Sequence, residues 1–363
     1  MGIAELEEWC LIDQMRKYLC LVFPLASFIN ISSAQTVTTQ TFGSGSNAFS
    51  MDFVEIGNPG NAPDTTGSAD FPPVRLAGSV KYTYKIGKYE VSRDMILKAK
   101  AAGVTGLVLT DLTYIRWNSP TIAASDIAWA SAAKFVNYLN TISGSPPAYK
   151  IDSSGNFLLW SAGEAGYNAN NKFRNTLAKY FIPSVDEWYK AAFGSPNNTW
   201  YDYPTGSDSP PVAINNGTSV NTAVYGGDIE TGIADVTKAG GLSAWGTMGQ
   251  GGNVWEWTET AYDGINDSTY EWHEVLGGAY DHPLVWLNSS SRAYAGSGGG
   301  GYPGFRVATL AEITNQVTTN QVTTNTYTLV MQKSSDLQNW SAISTNIISD
   351  TNIKAFFRIQ IQK

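Results

Sequence analysis

Two residue types that metal and redox sites depend on are nearly missing. Among 363 residues there are two cysteines, Cys10 and Cys20, and two histidines, His273 and His282. A three-histidine iron or zinc centre therefore cannot be assembled from one chain. Charge is also scarce. Only 15% of residues are charged and the net charge is -8, which excludes a nucleic-acid surface, because phosphate binding needs clustered Lys and Arg. Beyond Ala34 no apolar run is long enough to span a bilayer.

Both cysteines lie in a segment with the form of an export signal: Met15-Arg16-Lys17, apolar residues from Tyr18 to Ile29, then Ser32-Ser33-Ala34-Gln35. Cleavage after Ala34 leaves a chain with no cysteine. The preceding Glu5, Glu7, Glu8 and Asp13 have the wrong charge for the start of such a signal, so translation is expected to begin at Met15. Exported protein that still carried Gly2 would refute this. The reading places the mature chain in a secreted, periplasmic or cell-surface location, and the alternative is an internal apolar helix.

What is present is enough for a core, since 43% of residues are hydrophobic and 12% aromatic. Abundant Gly, Ser, Thr and Asn point to a loop-rich α+β chain with short antiparallel sheets rather than a helical bundle. Residues 35–50 form a polar lead-in with little to bury, and a main domain is expected over 51–310. Met51 to Ile56 and Val80 to Val91 alternate like paired strands. Two main helices are predicted. One runs from Ser125 to Asn140 with Ser125 or Asp126 as cap, and one from about Val185 to Phe193 behind Pro183 with Ser184 capping. The stretch from Tyr201 to Gly251 has few regular patterns, and a loop so long is either functional or disordered. A near-exact repeat, Asn315–Thr319 and Asn320–Thr324, marks a linker over 311–326. Beyond it, Tyr327 to Gln332 and Phe356 to Ile361 alternate and predict a small β module over 327–363.

The chain is organised around Gly249-Gln250-Gly251-Gly252-Asn253-Val254-Trp255-Glu256-Trp257-Thr258-Glu259, a glycine-rich turn feeding a buried strand. Trp255 and Trp257, two apart, should share a face while Glu256 points the other way. Each indole N–H needs a partner. Asn253 reads as a turn former.

Gly-Asn-Val-Trp-Glu-Trp resembles the signature of the formylglycine-generating enzyme (sulfatase-modifying factor) family. Further blocks follow in the family's order: Lys88-Tyr89-Glu90-Val91-Ser92, the Trp129 to Tyr138 helix, Ile182-Pro183-Ser184-Val185-Asp186-Glu187-Trp188-Tyr189-Lys190-Ala191-Ala192, then Gly277-Gly278-Ala279-Tyr280, Ser291-Arg292 and Gly304-Phe305-Arg306-Val307-Ala308. The resemblance implies a C-type-lectin-like fold whose loop face binds sugars or proteins. It also implies a copper-dependent oxidation of cysteine to formylglycine, carried by two thiolates near the carboxyl-terminal block. Residues 276–306 contain no cysteine, and the nearest side chains are His282 and Trp286. Cu(I) needs soft thiolate ligands, which an indole cannot replace, so neither copper nor that oxidation is expected.

The resemblance further implies calcium under the motif, held by the carbonyls of Gly252 and Val254 and by the Glu256 carboxylate, with Gly249 standing where a fourth ligand belongs. The other reading has Glu256 accepting bonds from the turn or pairing with Arg292 or Arg306. Asp281-His282 reads either as an acid–base pair or as an exposed loop histidine. Among the loop aromatics, Trp286, Tyr302, Tyr280 and Trp245 are expected to face a ligand. The leading expectation is an exported, non-catalytic protein that binds a glycan or protein. The alternative is an enzyme of a different kind that uses Glu256, His282 and Arg292.

Overall fold

The alternation around Met51 begins earlier than its sequence pattern and finds a partner upstream. The computed structural model describes residues 36–65, 76–111, 119–228, 230, 232–296, 303–311, 326–333 and 341–349. Val37–Phe42 is strand β1 and Phe49–Ile56 is β2, paired antiparallel from Val37 opposite Val54 to Phe42 opposite Phe49. The polar lead-in is thus partly a strand. An edge strand can be polar when one side chain docks it: Phe42 is buried, 5.7 Å from the Phe49 ring and edge-on to Tyr180 at 5.2 Å.

Tyr84–Gly87 forms β3 and pairs antiparallel with β2. Arg93–Ala101 forms helix α1, which the sequence pattern did not single out, with the Ser92 hydroxyl accepting from the Met95 amide. Its apolar residues Met95, Ile96 and Leu97 are consecutive, with Ile96 and Ala99 buried, Met95 packed against the core and Leu97 exposed, a pattern without a clear helical period. Helix α2 spans Trp129–Ile142 and buries Trp129, Ala132, Ala133, Phe135, Val136 and Leu139. It starts later than expected. Its capping position is Ala128, which makes no side-chain bond, while Asp126 sits at φ 51, a left-handed conformation that turns the chain before the helix can begin. Short strands β4 (Lys150–Ile151) and β5 (Phe157–Leu158) pair with each other, and Tyr180–Phe181 is β6.

Helix α3, Val185–Phe193, starts as predicted. Ser184 and Glu187 form a reciprocal capping box. Nearly all of its residues are buried, as in a helix enclosed by the protein on all sides. Among its described residues the loop from Tyr201 to Gly251 holds the short parallel pair β7 (Val212–Ala213) and β8 (Thr222–Ala223), a 3-10 turn at Val236–Lys238 and isolated bridges. It is nonetheless anchored by buried Val224, Ala234, Val236, Trp245 and Met248. Strands β9 (Glu256–Ala261), β10 (His273–Leu276) and β11 (Ala293–Ala295) form an antiparallel sheet in the order β11-β10-β9.

Strand β12, Ala308–Leu310, closes the larger sheet in the order β1-β2-β3-β12-β6. The closing Gly-Phe-Arg block is thereby brought beside the opening strands. Beyond it, β13 (Thr326–Lys333) pairs antiparallel with β14 (Ser341–Ser349). The expected strand at Tyr327–Gln332 thus has a partner nearer in sequence than Phe356–Ile361, which lies outside the described residues. So do the leader over 1–34, residues 312–325 of the linker, and Tyr302. No helix among the described residues is long and apolar enough to cross a membrane.

Candidate functional site

The glycine-rich turn has its shape because nothing larger fits. Gly252 has φ +82, and a Cβ built there would lie 2.0 Å from the Val224 carbonyl oxygen. Asn253 follows at φ 60 and is fully buried. Its side-chain oxygen accepts from the Ala234 amide at 2.8 Å, and its amide nitrogen donates to both Glu90 oxygens at 3.0 and 2.8 Å. Asparagine is suited to both tasks, since it tolerates positive φ and carries a donor and an acceptor.

Leaving this turn, Trp255 and Trp257 enter different surroundings. Trp257 is fully buried and donates to the Ile127 carbonyl at 2.7 Å. Trp255 donates to His282 Nε2 at 3.3 Å. Between them Glu256 is fully buried: Arg306 donates to its Oε1 at 2.5 Å and to its Oε2 at 2.6 Å, and Trp188 Nε1–H donates to Oε2 at 2.7 Å. Arg306 also donates to the Gly87 and Met248 carbonyls at 2.8 and 3.0 Å. Of the two arginines weighed from sequence, Arg306 is the partner. Glu90 lies against the same group. Burial first, then the Glu256 charge, push its carboxyl well above the usual carboxylate range. Two carboxylates lie near one guanidinium, and the like charge of Glu256 adds to burial in raising the cost of ionising Glu90.

This donor set does not fit a calcium ion. Both Glu256 oxygens accept from Arg306, and a guanidinium 2.5 Å from a ligand oxygen opposes a divalent cation. Where Gly249 stands in place of a fourth ligand, a Cβ would sit 2.9 Å from Glu90 Oε2, so Glu90 fills that space. Among the described residues no group of three or more His, Cys, Asp or Glu is placed to hold a metal.

Above this buried network lies the more accessible cluster. Asp281 Oδ1 is 2.9 Å from His282 Nδ1. Because Trp255 donates to Nε2, the neutral ring carries its proton on Nδ1 and donates it to Asp281. The 3-10 turn Leu284–Leu287 presents Trp286, whose ring meets Trp255 edge-on at 5.4 Å and His282 at 6.3 Å. His282 and Trp286 are both half-buried. The result is a rigid aromatic patch with one carboxylate on its rim.

The remaining predicted site residues disperse. Arg292 lies over the Tyr189 ring at 4.8 Å and donates to the Ser289 and Ser291 carbonyls. Burial, its largest influence, lowers its pKa. Among the described residues no hydrogen bond or ring contact joins it to Glu256 or His282. Tyr280 and Trp245, which were expected to face a ligand, are 4% and 5% exposed, and Trp245 lines a cavity beside the C-terminal end of α3. Trp188, Glu90 and Lys190 were not anticipated as site residues. Glu90 left a signal, a carboxylate directly between Tyr89 and Val91.

A carboxylate fully buried under a glycine turn, an arginine from the closing block bound to it and to the Gly87 carbonyl, and a helix capped by Ser184 together define an α+β domain held at one buried ion pair. Residues 84–311, more than half of the chain, match the family model of the sulfatase-modifying factor enzyme 1-like domain, and the chain belongs to that family. The fold is similar to that of Treponema denticola variable protein 1, at 18% identity, a TM-score of 0.52, and coverage of 76% of this chain and 99% of the other. It is also similar to CarF, at 19% identity, a TM-score of 0.50, and coverage of 72% and 99%. No curated protein matches the sequence.

Proposed function

We propose that this chain is an exported binding protein that uses the family's fold without its cysteine oxidation and recognises a glycan or protein through the Trp255–His282–Trp286 patch. One observation carries the reading. Where the resemblance puts two thiolates, residues 276–306 have no cysteine, and His282 and Trp286 pack around Trp255 instead. Aromatic rings held by each other offer contact area at little entropic cost.

The geometry weighs against a hydrolytic or acid–base reading. A general base needs a free nitrogen facing the substrate, and both nitrogens of His282 are engaged, by Asp281 and by Trp255. Glu256 is fully buried in its ion pair and reaches no solvent. The deciding experiment screens the mature chain, freed of residues 1–34, on glycan and peptide arrays with and without chelator. A specific ligand whose affinity falls at least about tenfold in Trp286→Ala is expected, in line with an aromatic hot spot. Conversion of a sulfatase-derived cysteine peptide to the aldehyde by the same material would overturn the proposal.

A further inference from the structure

A separate cavity of about 260 Å³ lies beside the C-terminal end of α3, lined by Asn61, Lys190, Gly194, Thr199, Trp200 and Trp245 among others. Its wall contains two incompletely matched donors. Lys190 is 2% exposed, and its ammonium makes one hydrogen bond, to the Asn58 carbonyl at 2.8 Å. No carboxylate pairs with it among the described residues, and burial lowers its pKa to about 8. A lysine ammonium has three N–H groups, so two are left over. Trp245 is 5% exposed, and its Nε1–H is buried without a hydrogen-bond partner. Orphaned buried donors are rare in folded proteins because each costs free energy.

The space between the two indoles is kept clear by Gly194. Its φ is -81, which any residue adopts, so conformation does not demand glycine. Sterics do: a Cβ there would lie 2.7 Å from the Lys190 carbonyl oxygen, 3.1 Å from the Trp200 ring and 3.4 Å from Trp245 Nε1. The volume is below the roughly 300–1,000 Å³ of drug-sized pockets, which limits an occupant to a small molecule. One ammonium and one neutral N–H, with no arginine in the lining, match a single negative charge rather than a phosphate. The indole walls match a flat ring.

We infer that this cavity binds a small aromatic monocarboxylate, with its carboxylate on the Lys190 ammonium and the Trp245 N–H and its ring against Trp200 and Trp245. The site is independent of the Trp255–His282–Trp286 patch and does not rest on the function proposed there. The test titrates benzoate into the ¹⁵N-labelled full chain and follows the Trp245 indole N–H resonance, assigned with Trp245→Phe. Saturable movement of that resonance is expected, with benzamide, the neutral isostere, at least tenfold weaker. Lys190→Met is expected to weaken benzoate at least tenfold with an unchanged circular dichroism spectrum. A resonance that stays still at tens of millimolar benzoate, or that moves equally with benzamide, overturns the proposal, as does undiminished binding in a folded Lys190→Met. The benzamide arm uses the unaltered chain and decides the matter even where a variant fails to fold.

Discussion

Arg306 is fully buried and uses its guanidinium on the Glu256 carboxylate and on the carbonyls of Gly87 and Met248. One side chain thus ties the end of β3, the glycine turn and the start of β9 together. Removing one partner of a buried pair leaves the other charged and unsolvated. Arg306→Met is therefore expected to cost about 3–5 kcal/mol, measured by urea unfolding. His273 supplies a second prediction at this scale. It stacks on Trp129 with ring centroids 4.2 Å apart, and burial lowers its pKa from 6.5 to about 4. The folded chain keeps the ring neutral at pH values where the unfolded chain protonates it. The resulting stability is fully present above pH 6.5 and is lost as pH falls toward about 4, up to roughly 3 kcal/mol. His273→Phe should flatten the stability profile between those two pH values. A variant profile as steep as that of the unaltered chain would contradict the assignment.

At the scale of elements, the turn before β9 is more demanding than the helices. Gly252→Ala would combine a positive φ with a Cβ 2.0 Å from a backbone oxygen, and a loss of about 3 kcal/mol or more is expected. Gly45 is a built-in comparison, with φ +56 and nothing within 4 Å of its Cβ position. Gly45→Ala should cost only about 1 kcal/mol, and chemical denaturation of both variants checks the contrast. The elements also differ in how legible they were. Helix α3 could be read residue by residue, because Pro183, Ser184 and Glu187 act locally. Helix α1 and strand β1 could not. The apolar residues Met95, Ile96 and Leu97 of α1 are consecutive rather than spaced, β1 has only Val37 and Phe42, and both elements are held by neighbours distant in sequence, as Phe42 is by Tyr180.

For the molecule as a whole, the fold closes through β12, which sits between β3 and β6. Ending the chain after residue 311 keeps all the helices of the described residues and all five strands of that sheet, so a melting temperature within about 2 °C of the full chain is expected. Ending it after residue 304 removes both β12 and Arg306 and should abolish cooperative unfolding. Calorimetry of the two truncations separates these outcomes. The sequence alone was enough to indicate the family, the loop-rich α+β class and the absence of thiols from residues 276–306, because those depend on which residues are present and in what order. It could not rank the partners of Glu256, since Arg306 and Arg292 are both long cations near the closing block. Only the tertiary structure decided that Arg306 neutralises Glu256, that Tyr280 and Trp245 are buried while Trp286 stays accessible, and that Lys190 and Trp245 share a cavity. Burial and pairing are set by contacts between segments far apart in the chain, which no local pattern encodes.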